Sequence, residues 1–222
     1  MTNDLSAWQP RALPGRVALE GRSVLVEPVG DERRFGQLYD VVAGADDALW
    51  RWMGYGPFAN GQALETVLRR LAFDSAMVLH AVVPKSSGRA EGWMALMRID
   101  AANGVIEIGN VVLGPRLQRT REATEAFFLL MGRVFDELDY RRLEWKCDAT
   151  NGPSRRAAER LGFTYEGTFR QHMVVKGRNR DTAWFAMTDD EWPRRRSAFE
   201  AWLDTGNFDD RGRQRQSLDA FR

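Results

Sequence analysis

Apolar residues recur along this chain at two periods, and the changes of period divide it into elements. Residues 23–28 read as a short strand closed by Pro28, after which Asp31 opens a helix whose apolar members are Phe35, Leu38, Tyr39 and Val42. Residues 63–73 place Leu64, Val67, Leu68 and Leu71 on one helical side and Arg69 and Arg70 on the other. Residues 77–83 and 91–99 are strands joined by a polar hairpin loop, and Asn103-Gly104 turns into a third strand ending at Gly114-Pro115. From Arg121 or Glu122 the spacing of Ala123, Ala126, Phe127, Leu130, Val134 and Leu138 predicts a long helix. Residues 141–148 then alternate, with Leu143, Trp145 and Cys147 on one face and Arg142, Glu144, Lys146 and Asp148 on the other.

Asn151-Gly152-Pro153-Ser154 opens the next helix, whose buried side is Ala157, Ala158 and Leu161 and whose stop is Gly162. Residues 163–175 and 181–187 form a final hairpin, and Asp189 caps a last helix over 190–203. Residues 1–21 have no sustained period and read as a surface arm pinned by Trp8; residues 209–222 read as a mobile tail. Trp50, Trp52, Met53, Tyr55 and Phe58 crowd into a stretch broken by Gly54, Gly56 and Pro57, so they sit in an irregular loop. That loop either plugs one end of the core or walls a pocket.

Alternating strands and helices interrupted by hairpins predict a single α/β domain with a mixed central sheet of about seven strands flanked by helices. The boundaries expected are an arm at 1–21, a folded domain at 22–192, and a C-terminal helix and tail at 193–222.

Composition narrows the function. The 222 residues carry 32 Lys and Arg against 31 Asp and Glu, a net charge of +1, so a dedicated nucleic-acid binder is not expected and any electrostatics must be local. One cysteine, Cys147, excludes an internal disulfide, and two histidines with it are too few for a usual zinc site, so no metal is expected. No run approaches the ~18 apolar residues of a membrane span. A cytoplasmic location without a membrane partner is the expectation.

The stretch from Val105 to Ala126 is strand, basic loop, helix. A helix N-terminus offers unpaired N–H groups and the positive end of a dipole, and Arg116, Arg119 and Arg121 surround this one. It is the natural seat for a phosphorylated ligand. Here the chain resembles the GNAT acyltransferases, whose acyl-CoA loop reads Gln/Arg-x-x-Gly-x-Gly/Ala after a strand: Gln118-Arg119-Thr120-Arg121-Glu122-Ala123 matches its ends. Asn151, Ser154 and the exit Leu161-Gly162-Phe163 are similar to the RimJ/RimL-type branch in particular. The resemblance spans residues 23–192. Arg121 departs from it, standing where the family has the glycine that lets backbone approach pyrophosphate closely. Either the loop trades close approach for a guanidinium, the favoured reading, or the phosphate site is degraded.

What the resemblance implies is an N-acyltransferase that moves an acetyl or other acyl group from acyl-CoA to a primary amine of a small molecule or a protein N-terminus. A homodimer is left open. Coenzyme A would lie against Gln118, Arg119, Thr120, Arg121, Glu122, Ala123 and Thr124, with Arg155-Arg156 near its 3′-phosphate. A bulge near Asn110 and Val111 would splay the strand from 143–147, so that pantetheine bonds backbone at Val111 and Leu113 and an N–H near Val112 holds the oxyanion. Asn151 and Ser154 would contact pantetheine, Ser154 returning a proton to sulfur, although Asn151 also suits a plain helix cap. The aromatic residues Trp50, Trp52, Tyr55 and Phe58 would border the acceptor.

Attack on a thioester needs a deprotonated amine, and an alkylammonium has a pKa of about 10, so a carboxylate base is the usual solution. Glu107, the only charge on the apolar strand that runs into the loop, is the first choice, ahead of Glu144 and His172. Its separation from Gln118 is similar to that of the strand glutamate in histone-acetylating members of the family. The competing reading is a strand-surface carboxylate paired with an arginine. Across function classes, the alternative is a non-catalytic acyl-CoA-binding or sensing protein of the same fold. His80 and Cys147 read as core residues.

Overall fold

The computed structural model describes residues 4–30, 32–43, 47–74 and 76–222. Asp31, the expected opener of the first helix, lies outside them. One eight-stranded sheet, in the order β1-β2-β3-β4-β5-β6-β8-β7, is formed by β1 (Leu19–Glu20), β2 (Val24–Pro28), β3 (Met77–Pro84), β4 (Gly92–Asp100), β5 (Val105–Leu113), β6 (Arg142–Asp148), β7 (Thr164–Val175) and β8 (Arg178–Thr188). The strand beyond the seven expected is β1, contributed by the N-terminal arm and paired antiparallel to β2. Every neighbour pair is antiparallel except β5–β6.

Helices cover both faces. α1 (Glu32–Val42) and α2 (Gly61–Ala72) bury Phe35, Leu38, Leu64 and Leu68 against Leu79, Ala81 and Trp93 of one face. α3 (Arg121–Gly132), α4 (Gly152–Leu161) and α5 (Trp192–Leu203) bury Phe127, Leu130, Leu161 and Phe199 against Met94, Ile106, Leu143 and Phe185 of the other. The periodicity predicted for α3 runs on through Val134 and Leu138, both buried, but the last turn, Arg133–Glu137, is a π-helix closed by Leu138 N–H to Arg133 O at 3.1 Å. α4 begins at an Asn151 cap whose Oδ1 accepts from Ser154 N at 3.1 Å, and ends at Gly162 with φ 97°, where a side chain would be strained.

Two terminal expectations change. α5 starts at Trp192 rather than at 190, and the Asp189 side chain does not cap it: Glu191 turns back to accept from Thr188 N at 2.9 Å, while Asp189 Oδ1 accepts from its neighbour Asp190 N. The tail is packed rather than mobile. Buried Asn207 donates to Trp202 O (3.0 Å) and Gln216 O (3.2 Å) and accepts from Gln216 N (2.9 Å), and Leu218 is buried beside α5. Sequence polarity hid this because one buried amide with three partners does the work of several apolar contacts. At the other terminus Trp8 does pin the arm, donating Nε1–H to Ala102 O at 2.7 Å with the Arg11 guanidinium 4.2 Å above its ring.

Candidate active site

The central strand β5 breaks its own alternation. Against β4, Trp93 pairs with Val112 and Ala95 with Gly109, so β5 holds one residue more than its partner between those points, and Asn110 takes φ 53°. Side chains change faces across the bulge: Ile106 and Ile108 face α3, but beyond Asn110 it is Val111 and Leu113 that do, while Val112 turns to the opposite core. The parallel pairing with β6 ends at Glu107↔Glu144. From there the two strands diverge, as expected.

The backbone follows the same parity. Gly114 N donates to Glu91 O at 2.8 Å, and a Cβ built on Gly92 would stand 2.5 Å from Val112 O, so residues 112 and 114 present their polar groups to β4. Those of Val111 and Leu113 therefore face the gap. An oxyanion donor at Val112 is thus misplaced; Val111 is the nearer candidate, because it and not Leu113 lines the smaller cavity beside Glu107. The Leu113 carbonyl accepts from Gln118 Nε2 at 2.9 Å. That bond also corrects Gln118, which braces the loop and does not line the cavity beside it.

That cavity, about 880 Å³, opens at the N-terminus of α3. Thr120 caps the helix, its Oγ1 accepting from Ala123 N at 3.1 Å, which leaves the first helical N–H groups free of side-chain partners. Among the described residues, Arg119, Arg121, Arg156, Arg160 and Arg213 line it against a single carboxylate, Glu122. The left-handed residue is Arg119, φ 63°, whereas Arg121 is an ordinary first helical residue, so the glycine position of the motif needs no glycine for its conformation here. Arg121 lies 5.1 Å over the Phe208 ring and Arg160 5.1 Å over Trp202 while donating to Thr124 Oγ1 at 3.1 Å. Burial pulls the Arg160 pKa down, a cost that an anion would relieve. Of the predicted pair, Arg156 lines this cavity; Arg155 turns away to Ala149 O (3.1 Å) and the Tyr165 ring.

Sequence reasoning missed Arg160, Trp202, Phe208 and Arg213. Trp202 and Phe208 come from α5 and the tail, and only the packing of that tail brings them here. Phe208→Ala should raise the Michaelis constant for acetyl-CoA several-fold by releasing Arg121 from its ring, with the acceptor KM unchanged. Titration of each substrate at saturation of the other checks this.

A second cavity, about 290 Å³, lies beyond the bulge between the aromatic loop and the β7–β8 hairpin. Glu107 lies in its wall, 5% exposed. Its Oε2 is 3.2 Å from both Lys146 Nζ and Arg98 Nε, close in distance but poorly aligned for hydrogen bonding with either. Burial pushes this carboxyl above its ordinary pKa, and Lys146, then Arg98, pull it partly back. Gly109 makes room for it: a Cβ there would fall 2.8 Å from Glu107 Oε1 and 2.7 Å from Met97 Sδ. Lys146 is itself held at 2.7 Å by Glu144 and lies 3.8 Å over the Trp184 ring. Glu144, bonded also to Arg142 at 2.9 Å, does not line the cavity; His172 does, with Nδ1 2.9 Å from Thr182 Oγ1.

Ser154, Asn151 and Cys147 line the same cavity. Ser154 Oγ accepts from Trp145 Nε1 at 3.0 Å, which leaves its own hydrogen to donate. Cys147 is buried, its thiol pushed up by that burial. His80 is also buried, on β3 away from both cavities, and burial lowers its pKa to about 4.

The aromatic loop divides. Trp52 and Tyr55 line the second cavity, and the Tyr55 hydroxyl bonds Asn110 at the bulge and accepts from Trp93 Nε1 at 3.2 Å. Trp50 and Phe58 do not line it. Trp50 is 2% exposed and meets Phe58 edge-on at 5.1 Å in the α1–α2 core, so they are the plug rather than pocket wall. Trp50→Ala should cost about 3–5 kcal/mol of stability in a denaturant titration, whereas Trp52→Ala should raise the acceptor KM with stability and acetyl-CoA affinity near wild type.

Residues 25–164 match the model of the acetyltransferase (GNAT) domain, and the chain belongs to that family. A crystal structure of a GCN5-related N-acetyltransferase from Brucella melitensis is 48% identical, with a TM-score of 0.94 over 96% of this chain and 97% of that one. YdaF of Bacillus subtilis, a proposed ribosomal N-acetyltransferase, is 29% identical over 76% of this chain and 91% of its own length. RimJ of Mycobacterium smegmatis, solved with CoA-disulfide, shares the fold at a TM-score of 0.70 and 18% identity, over 83% of this chain and 92% of its own. The protein is an acetyltransferase of the GNAT family, and the family's co-substrate is acetyl-CoA. Among the described residues no helix is long and apolar enough to cross a membrane, and no three His, Cys, Asp or Glu side chains group as metal ligands.

Proposed function

We propose that the enzyme transfers the acetyl group of acetyl-CoA to a primary amine, with the phosphates of coenzyme A in the large cavity at α3 and the amine in the smaller one beside Glu107. One observation carries this: the two cavities adjoin at the opened β5–β6 gap. Leu113 and Pro153 line the first, while Val111 and Ser154, two residues and one residue away, line the second. A ligand with its anionic end against the arginines would thus reach the strand gap with its other end, and the second cavity opens from there. Glu107 takes the amine proton as general base, Val111 N–H is the candidate oxyanion donor, and Ser154 protonates the departing thiolate.

The test is release of free thiol from acetyl-CoA in the presence of a panel of primary amines, with the acetylated product identified by mass. Amine-dependent thiol release supports the reading. Tight acetyl-CoA binding without turnover on any amine would instead favour a sensing role for the site.

A further inference from the structure

The smaller cavity has a charge that the reaction as proposed does not use. Its lining holds three cations, Arg98, Lys146 and Arg180, against two carboxylates, Glu107 and Asp148. Four of these are engaged within the protein. Arg98 and Lys146 flank Glu107 at 3.2 Å, and Asp148 Oδ1 accepts from Thr150 N at 2.8 Å and Oγ1 at 2.7 Å. Arg180 is the exception. Its guanidinium makes no ion pair or side-chain hydrogen bond with any described residue, and its Nε is buried without a partner.

A guanidinium stays protonated at any physiological pH, so a half-buried one with an orphaned buried N–H is costly until an anion meets it. Arg180 is held firmly on β8, where it pairs with Met173 of β7, another residue of the cavity wall. It is absent from the lining of the arginine-rich cavity at α3, which has five cations of its own for the phosphates of coenzyme A. We infer that the acceptor amine carries a carboxylate and that Arg180 binds it, holding the amine end of the molecule toward Glu107. This rests on the assignment of the smaller cavity to the acceptor. A fork of N–H donors matches a planar carboxylate, and a simple alkylamine would leave it unpaired.

The experiment is steady-state kinetics with acetyl-CoA and matched amines: α-amino acids and ω-amino carboxylic acids of two to five methylenes, each beside its own carboxamide. For at least one pair, the carboxylate should be preferred in kcat/KM by about 10- to 100-fold, the worth of one charge-assisted hydrogen bond. Arg180→Gln should bring that ratio close to one with the acetyl-CoA KM unchanged, and Arg180→Lys should restore part of it. The ratio is internal to each variant, so partial loss of folded protein does not move it. Equal use of acid and carboxamide by the wild type, or a preference that survives in Arg180→Gln, overturns the inference and leaves amine acetylation standing. An Arg180-dependent preference for succinyl-CoA over acetyl-CoA with uncharged amines also overturns it, by assigning the carboxylate to the acyl group. No turnover with any amine removes the inference together with the acetyltransfer reading beneath it.

Discussion

Glu107→Gln is expected to lower kcat by about 10²–10⁴-fold, with acetyl-CoA affinity unchanged. Glutamine keeps the shape and one acceptor oxygen at the position beside Gly109 but cannot take a proton from the incoming ammonium. The wild-type rate should fall as pH drops through the pKa of Glu107, which burial places above the ordinary carboxylate value. The sign of a second effect is also fixed. Lys146 favours the charged carboxylate, so Lys146→Met should raise that pKa further and move the acid limb of kcat/KM to higher pH. Activity of Glu107→Gln should recover in part at high pH, where the amine arrives deprotonated.

Stability supplies an independent readout. Because the folded state raises the pKa of Glu107, it favours the neutral form; the associated stability is present below the unfolded pKa and is lost as pH rises through the folded one. Above that pKa the charged group is therefore a burden on the fold, and Glu107→Gln should melt no lower than wild type there. A variant that loses both kcat and thermal stability would mark Glu107 as structural. A variant with wild-type kcat from pH 6 to 9 would place the base elsewhere.

Removing the charge of Arg119 and Arg121 together is expected to weaken coenzyme A binding by about 10- to 100-fold at low salt, less at high salt, as charge-assisted contacts to phosphate require. The two positions need different replacements. Arg119 stands at φ 63°, where alanine would keep the backbone strain that arginine already carries, whereas glycine removes the charge and relieves the strain at once. Arg121→Ala removes both a cation and the partner of the Phe208 ring. Isothermal titration of Arg119→Gly/Arg121→Ala with coenzyme A measures the effect. An unchanged affinity, with an unchanged salt dependence, would move the phosphates away from the N-terminus of α3.

Much of this site was legible in one dimension because it is local. The strand 105–113, the helix start at Arg121, the Asn151 cap and the Gly162 stop depend on residues within a few positions of each other, and periodicity and turn chemistry fix them. Glu107 stood out for the same reason, as one charge in an apolar run. The motif also carried the order of the elements, from which the resemblance and the expected bulge followed. One helix end at the same short range was less legible, because two acidic residues competed for it: Glu191 rather than Asp189 turns back to Thr188, and α5 begins two residues later than its pattern indicates.

What the sequence by itself determined is all but one of the strands, the basic loop before α3 and the strand carboxylate, because each is set by contacts between neighbours in the chain. Only the tertiary structure decided which side chains share a cavity. It sent Trp50 and Phe58 to the core but Trp52 and Tyr55 to the pocket, and split Arg155 from Arg156. It also folded Phe208 and Arg213 over α3 and left Arg180, in the cavity beside the aromatic loop, without an ion pair to any described residue. The physical reason is parity. One extra residue at Asn110 reverses which face every later side chain of β5 presents, and whether a side chain is spent or free depends on the strand laid beside it, which can come from anywhere along the chain.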